Sequence, residues 1–434
     1  MTQPRDIMAP KTVPWRGRER AQRGLFRRLV LARLQTLREG RLVIDEGNQT
    51  VTLGAASPDA SLTATVRVHD LRFYRHLLLG GSLGAAEAYL RHYWDADDLT
   101  ALVRLFVRNR AVLDGVEGGL ASFSVPWAQL VHWLHRNTLG GSRKNISAHY
   151  DLGNDFFELF LDESLMYSCA IFDSPETSLE VASRAKIDRI CRKLQLASDD
   201  HLLEIGTGWG GFALHAASQY GCRITTTTLS QQQYTLARQR VQAAGLGERI
   251  TVLRQDYREL SGRFDKLVSI EMIEAVGHQY LDDYFAVCSR LLKPDGMMLL
   301  QAITIADQYY ERAKGSVDFI KHYVFPGSCI PSVSAIMAAL ARASDLSLFH
   351  LEDIGAHYVT TLQGWRERFH RNRPRIQALG YSERLLRTWD FYFGYCEGGF
   401  AERLLGDVQM LLVKPLCRRE PLVLPLAVDE SARA

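Results

Sequence analysis

Hydrophobic and polar positions follow two regimes along the chain. Between residues 41 and 121, apolar residues come in short alternating runs at 51–53 and 62–68, followed by helically spaced stretches at 84–93 and 99–108. That pattern predicts a small α+β domain. Past residue 200, apolar runs at 202–205, 223–229, 250–254, 266–270 and 297–303 read as strands, with helices at 212–220, 231–244 and 280–292 between them. Strict alternation of this kind predicts a doubly wound α/β unit with a parallel sheet. Apolar segments at 346–354 and 408–413 are assigned to the far edge of that sheet. The mostly helical, aromatic stretch 362–405, together with 309–341, is expected to lie over the carboxyl ends of the strands, where open α/β sheets bind ligands. A weakly patterned segment at 115–143 separates the regimes, giving a basic arm at 1–40, a small domain at 41–130 and a catalytic domain at 131–434.

With 434 residues, 47% of them hydrophobic and 23% charged, the chain has globular composition, which excludes disordered and fibrous classes. No apolar run reaches the roughly 18 residues that cross a bilayer. The longest, at 297–305, is interrupted by Gln301. Seven cysteines lie scattered without a C-x-x-C pair, and no secretory signal pattern is present, so a reducing cytoplasm is the expected compartment. The net charge of +3 conceals an asymmetry: residues 1–41 hold eleven Arg and Lys against three acids, and the remainder is net acidic. Within the arm, Leu25, Phe26, Leu29, Val30, Leu34 and Leu37 recur at helical spacing, with Arg27, Arg28, Arg33 and Arg38 mostly to the sides. A basic amphipathic helix of this kind suits an anionic membrane surface. A helix packed on its own domain with a solvated arginine face has equal claim on pattern, and an organellar transit peptide is a third reading. No nucleic-acid partner is expected.

The sheet's first strand ends in Leu203-Glu204-Ile205-Gly206-Thr207-Gly208-Trp209-Gly210-Gly211, so its glycines fall at a strand-to-helix turn that lets backbone approach a ligand closely. Such a loop serves NAD, FAD and S-adenosylmethionine alike. A dinucleotide site calls for an acid about 20 residues on, at the end of the next strand. Here that strand ends Thr225-Thr226-Thr227-Thr228-Leu229-Ser230, without one, and the G-x-G-x-G spacing lacks the third dinucleotide glycine. Both facts favour S-adenosylmethionine. Gln233 is placed to reach the ribose in the acid's stead, although Ser230-x-x-Gln233 also spells a capping box whose only task is to start the helix.

These blocks, together with His149-Tyr150-Asp151-Leu152-Gly153-Asn154-Asp155-Phe156-Phe157 and Met166-Tyr167-Ser168-Cys169-Ala170, resemble the cyclopropane fatty acid synthase family, which includes the mycolic acid cyclopropane synthases. The resemblance spans roughly residues 40 to 415. Gly81-Ser82-Leu83-Gly84 and Glu87-Ala88-Tyr89 also resemble the amino-terminal domain of the bacterial phospholipid enzymes. Carried over by position, the resemblance implies a class I methyltransferase fold in which Tyr167, Ser168, Gly206, Gly208, Thr228, Gln233 and Tyr257 bind S-adenosylmethionine. It implies that Cys169, Glu274, Tyr358 and Cys396 line a pocket where such enzymes hold a bicarbonate ion as the base, and it suggests a homodimer. The implied reaction converts cis-unsaturated acyl chains of membrane phospholipids to cyclopropanes, by an enzyme held peripherally at the inner face of the membrane.

The residue types match that chemistry. An alkene is a poor nucleophile, so it has to be held in line with the sulfonium methyl while water that would trap the carbocation is excluded. Phe156, Phe157, Tyr309, Tyr310, Phe391, Tyr392, Phe393 and Tyr395 are candidate walls, although ordinary core is the preferred reading for most of them. Loss of a proton from the added methyl then closes the ring, which requires a base. On pattern alone Glu271 and Glu274 have equal claim near that step; the family match selects Glu274. Two departures stand out: Gln301 occupies the place of a bicarbonate-contacting histidine, and Ala275 replaces another histidine. Gln cannot titrate near neutrality, so cyclopropanation is less firmly implied than methyl transfer. The alternatives are methyl- or methylene-branched acyl products, N-methylation of a small amine, and a lipid sensor without turnover.

Overall fold

The computed structural model describes residues 15–54, 62–110, 112 and 152–422. The sequence blocks at 113–151, including His149 and Tyr150, lie outside them. The chain divides into two compact units, Met1–Pro126 and Trp127–Ala434.

The first unit contains a four-stranded sheet in the order β2-β1-β3-β4, built from β1 (Arg41–Asp45), β2 (Thr50–Leu53), β3 (Thr63–Val68) and β4 (Trp94–Ala96). β1 pairs parallel with β3, and the other pairings are antiparallel. Alternation puts Leu42, Ile44, Ala64 and Val66 on one buried face, and Phe73, Tyr74 and Leu105 of the helices Arg72–Leu90 and Leu99–Arg108 are buried as well. The basic arm is a helix, Trp15–Leu34, that belongs to this unit. Val30, Leu34 and Leu37 are buried, and the Arg27 guanidinium donates to Glu46 at 2.7 Å. Leu25 and Leu29 remain 50% and 46% exposed beside exposed Arg28 and Arg33. The helix therefore packs on its own domain with one stripe and presents a second, mixed apolar and basic stripe outward.

The second unit is a seven-stranded sheet ordered β10-β11-β9-β8-β5-β6-β7. Its strands are β5 (His201–Ile205), β6 (Arg223–Thr227), β7 (Ile250–Leu253), β8 (Phe264–Ile270), β9 (Leu292–Ile305), β10 (Ser347–Asp353) and β11 (Leu405–Val413). β5 through β9 run parallel, while β11 inserts antiparallel between β9 and β10. The doubly wound sheet expected from the pattern is present, its far edge formed by the two late apolar segments. Parallel strands buried on both faces explain the unbroken apolar runs. One face packs Leu203, Leu267, Leu300 and Met298 against Phe285 and Leu340, and the other packs Leu202, Val268 and Leu299 against Phe212 and Ile190. The order of winding reverses at β5, with β6 on one side and β8 on the other, so the carboxyl end of β5 is the switch point where a crevice opens.

Candidate active site

The crevice at the end of β5 is lined by the glycine loop. Gly206, Gly208 and Gly210 take φ values of 106°, 52° and 86°, in the left-handed region that glycine alone adopts without strain. Thr227 O accepts from the N–H groups of Gly206 and Thr207 at 3.0 and 3.1 Å, tying the loop to β6. A Cβ on Gly208 would meet nothing within 4 Å, because that position borders the open cleft, whereas one on Gly211 would lie 2.4 Å from the Ser164 carbonyl.

Tyr167, Ser168, Gly206, Gly208, Thr228, Gln233 and Tyr257 all line this one cleft. Ser230 does cap the following helix, Gln231–Ala243, through a bond from Gln233 N at 3.3 Å, while the Gln233 side chain accepts from Thr228 Oγ1 at 2.8 Å. Capping and cleft lining thus coexist. Tyr167 is seated among Phe157, Phe160 and Trp365, and its hydroxyl donates to Tyr392 at 3.0 Å.

Three charged residues that sequence reasoning passed over join them. Glu204 lines the cleft from β5; one of its carboxylate oxygens is buried without a partner, and burial pushes the carboxyl up to about 8 against a hydrogen bond from Thr226 and the charge of Lys186. An orphaned carboxyl oxygen beside an open glycine cradle fits a ligand that brings a hydrogen-bond donor to it, as the ammonium and hydroxyl groups of S-adenosylmethionine would. Asp256, buried just past β7, lines the cleft while paired to Arg258 at 2.7 Å. Lys186, fully buried on the helix Leu179–Lys193, donates to Ser168 Oγ at 2.7 Å, and burial lowers its pKa. The available signals were an acid inside an apolar strand, an acid closing the third strand and a lysine on the buried face of a helix.

The far end of the cleft holds a cluster of carboxylates. Glu271 follows β8 with φ 47°, an unusual conformation for a side-chain-bearing residue, and it lines the cleft. Its Oε1 accepts from Cys169 N and Gln301 Nε2, both at 2.8 Å, and its Oε2 accepts from the Tyr358 hydroxyl at 2.6 Å. The Gln301 amide also donates to Asp407 at 3.1 Å, and its carbonyl accepts from Gln409 at 3.1 Å. Gln409 accepts from Lys193, which reaches Glu352 at 2.5 Å. A polar chain therefore runs from Tyr358 through the sheet to Glu352.

Glu274 sits beside this cluster. One oxygen accepts from Ile303 N at 2.5 Å and the other is buried without a partner; burial, then the charge of Glu271, pushes its carboxyl up to about 8. Asp407, on β11, is raised well above the usual carboxylate range, first by burial and then by Glu271. The structure thus brings Cys169, Tyr358, Gln301 and Glu274 together around Glu271. Cys396 makes no bond to them among the described residues. Its thiol is pushed up by burial and by the charge of Asp318. The residues implied to hold bicarbonate do not fit a free anion: Cys169 N, Tyr358 and both Gln301 amide hydrogens are already committed to carboxylates. Asp407 was also missed, its signal being an acid at the head of the apolar segment 408–413.

Residues 138–410 match the model of the mycolic acid cyclopropane synthetase family. The chain belongs to that family. It is 37% identical over 388 residues to the tuberculostearic acid methyltransferase UfaA1 of Mycobacterium tuberculosis, covering 86% of this chain and 87% of that protein. It is 36% identical over 369 residues to the cyclopropane-fatty-acyl-phospholipid synthase of Escherichia coli, covering 84% and 90%. Among solved structures, mycolic acid cyclopropane synthase CmaA1, crystallised with S-adenosylhomocysteine and CTAB, superposes with a TM-score of 0.59 at 31% identity, covering 63% of this chain and 98% of that one. As in the rest of the family, the second unit has the class I methyltransferase fold, and the chain is a methyltransferase.

Proposed function

We propose that this chain transfers the methyl group of S-adenosylmethionine to the cis double bond of an acyl chain in a membrane phospholipid, and that proton loss from the added carbon gives a cyclopropane. The observation that supports this reading is that Glu271 and the glycine loop line one and the same cleft. When bound, the cofactor supplies an electrophilic methyl on a sulfonium.

The chain's own residues do the rest. Tyr167, Ser168, Gly206, Gly208, Thr228, Gln233 and Tyr257 are assigned to holding the cofactor, with Glu204 lining the same cleft. Phe157, Phe160, Trp365 and Tyr392 close the region around Tyr167 and keep water away from a cationic centre. Phe156 and Phe393 are wholly buried and serve as core. Peripheral membrane contact is assigned to the outward stripe of Leu25, Arg28, Leu29 and Arg33.

A second reading, a methyl- or methylene-branched acyl chain, is favoured by one observation: Gln301, standing where the family resemblance leads one to expect a histidine, is bound up with Glu271 and Asp407. A relative named for tuberculostearic acid is consistent with it. Expression in a host lacking cyclopropane fatty acids, with mass spectrometry of the lipids, tests methyl transfer. A gain of one CH₂ is expected, or of CH₂ and two hydrogens where a reductant of the host saturates a methylene product, and the absence of both refutes the reading. Proton NMR then separates a high-field ring signal from an olefinic methylene or a methyl doublet.

A further inference from the structure

The ion pocket implied by the family resemblance is filled by the protein itself. Glu271 Oε1 accepts from Cys169 N and Gln301 at 2.8 Å, and Oε2 accepts from Tyr358 at 2.6 Å, so one side chain has collected the donors expected to surround a free anion. Glu271 holds them from a backbone at φ 47°, a left-handed conformation that a residue with a Cβ rarely adopts. A bicarbonate placed against the same donors would lie in contact with a carboxylate of like charge.

We propose that the Glu271 carboxylate stands in for a free anion and is itself the base of the reaction, so that turnover requires no bicarbonate. This rests on the alkene methylation proposed above. In the step, the alkene's π pair forms the bond to the transferred methyl as the S–C bond breaks, leaving S-adenosylhomocysteine and a cation on the neighbouring carbon. Glu271 then takes one proton from the added methyl, and the freed C–H pair closes the ring. The carboxylate becomes a carboxylic acid, and it returns the proton to solvent after product leaves. A proton next to a carbocation is strongly acidic, so a carboxylate stabilised by three donors is base enough. Burial raises the Asp407 and Glu274 carboxyls, whereas it is Glu271 that gathers the three donors.

The test compares wild type with Glu271→Gly, which relieves the backbone and opens an anion-sized space among the three donors. Methyl transfer to unsaturated phosphatidylglycerol vesicles is measured in CO₂-free buffer and with added bicarbonate, and ¹³C-bicarbonate binding is followed separately by NMR. Wild type is expected to turn over equally in both buffers and to bind no bicarbonate. Glu271→Gly is expected to lose about 10²-fold or more in CO₂-free buffer, to bind the ion, to recover part of its rate with it, and to retain S-adenosylhomocysteine affinity. Bicarbonate dependence or binding in wild type, or full rate in the variant without the ion, would overturn the proposal. If neither protein methylates any unsaturated lipid, the reaction reading fails, and the NMR arm still decides whether Glu271 occupies the anion position. If Glu271→Gly does not fold, the wild-type arms decide alone.

Discussion

Replacing Glu274 by glutamine removes a buried titration whose size follows from the structure. One Glu274 oxygen accepts from Ile303 N at 2.5 Å, the other is buried without a partner, and burial together with the charge of Glu271 pushes the carboxyl from 4.5 to about 8. In the unfolded chain the group ionises near its ordinary value, so between these limits the folded state holds a proton that the unfolded state has released. A raised folded pKa means stability that is fully present at low pH and declines as pH rises through the window, by about 1.4 kcal/mol per pH unit. At pH 7 the accumulated loss is about 3 kcal/mol, and it levels off once pH passes the folded value. Glutamine accepts the same Ile303 hydrogen bond and does not titrate. The difference between variant and wild type should therefore widen in the variant's favour by roughly 4 kcal/mol between pH 5 and 8, less whatever proton uptake passes to Asp407 in the same cluster. Thermal midpoints measured at pH 5, 6, 7 and 8 at constant ionic strength report this. The transition of the second unit is recognised by its shift with S-adenosylhomocysteine, and each kcal/mol is worth about 2 °C at this size. Parallel curves for the two proteins would show that Glu274 is ionised in the folded state, and the neutral-acid account of the cluster would fail. On the same reasoning Glu274→Gln keeps most of its turnover at pH 7, because a neutral acid there is a hydrogen-bonding group and not the base.

The other expectations are read more directly. Gly211→Ala puts a Cβ 2.4 Å from the Ser164 carbonyl, a backbone atom, and should cost about 1–3 kcal/mol in urea unfolding. A Cβ at Gly208 meets no atom within 4 Å, so Gly208→Leu should lower stability by only about 1–2 kcal/mol for its left-handed backbone, yet weaken S-adenosylhomocysteine binding at least tenfold by calorimetry. Lys193→Met strands Gln409 and takes from Glu352 one of its two cationic partners, and with Arg189 still on Glu352 should cost about 1–3 kcal/mol. Although burial raises the Glu352 pKa, hydrogen bonds from Arg189 and Lys193 hold it down at about 2, so its contribution in wild type is present above the ordinary carboxylate range and fades as pH falls toward that value. Charging the outward stripe with Leu25→Glu and Leu29→Glu should reduce co-sedimentation with anionic vesicles without lowering the thermal midpoint, whereas deletion of the helix would uncover Val30 and Leu34 as well.

The second unit's strands were legible because burial on both faces writes each of them as a continuous apolar run, and the helices because Ser230 and the glycines at 210 and 221 punctuate them. The ends drifted where no apolar residue marks them: β9 begins at Leu292, well before the apolar run at 297, because Lys293, Pro294 and Asp295 are extended without being buried. The arm was undecidable for a physical reason. One amphipathic pattern serves a helix that packs on its domain and one that rests on lipid, and here the stripe that packs and the stripe left exposed overlap in sequence.

The cofactor half of the site was readable for the reason the strands were: it is largely contiguous chain, a strand, its glycine turn and the end of the next strand. The base half is not. Glu271, Gln301, Asp407 and Gln409 lie on or just past three separate strands, and only sheet register brings them together, with Ile270 opposite Gln301 and Gln301 opposite Gln409. Pattern alone left Glu271 and Glu274 level, and resemblance by position decided for Glu274. What separates them physically is a pair of facts that no periodicity encodes: Glu271 alone takes a positive φ, and it alone gathers donors from a loop, a helix and a neighbouring strand. The Gln301 substitution then reads differently. A histidine that loses its ring costs an anion a donor, but a glutamine whose two amide hydrogens both end on carboxylates belongs to a pocket rebuilt around a resident carboxylate. Restoring the ring tests that coupling. Gln301→His alone should lower turnover about tenfold or more, because imidazole cannot serve Glu271 and Asp407 at once while accepting from Gln409. Gln301→His with Glu271→Gly should recover activity when bicarbonate is supplied. If the single variant is as active as wild type and indifferent to bicarbonate, the two positions are not coupled and the pocket has not been rebuilt around Glu271.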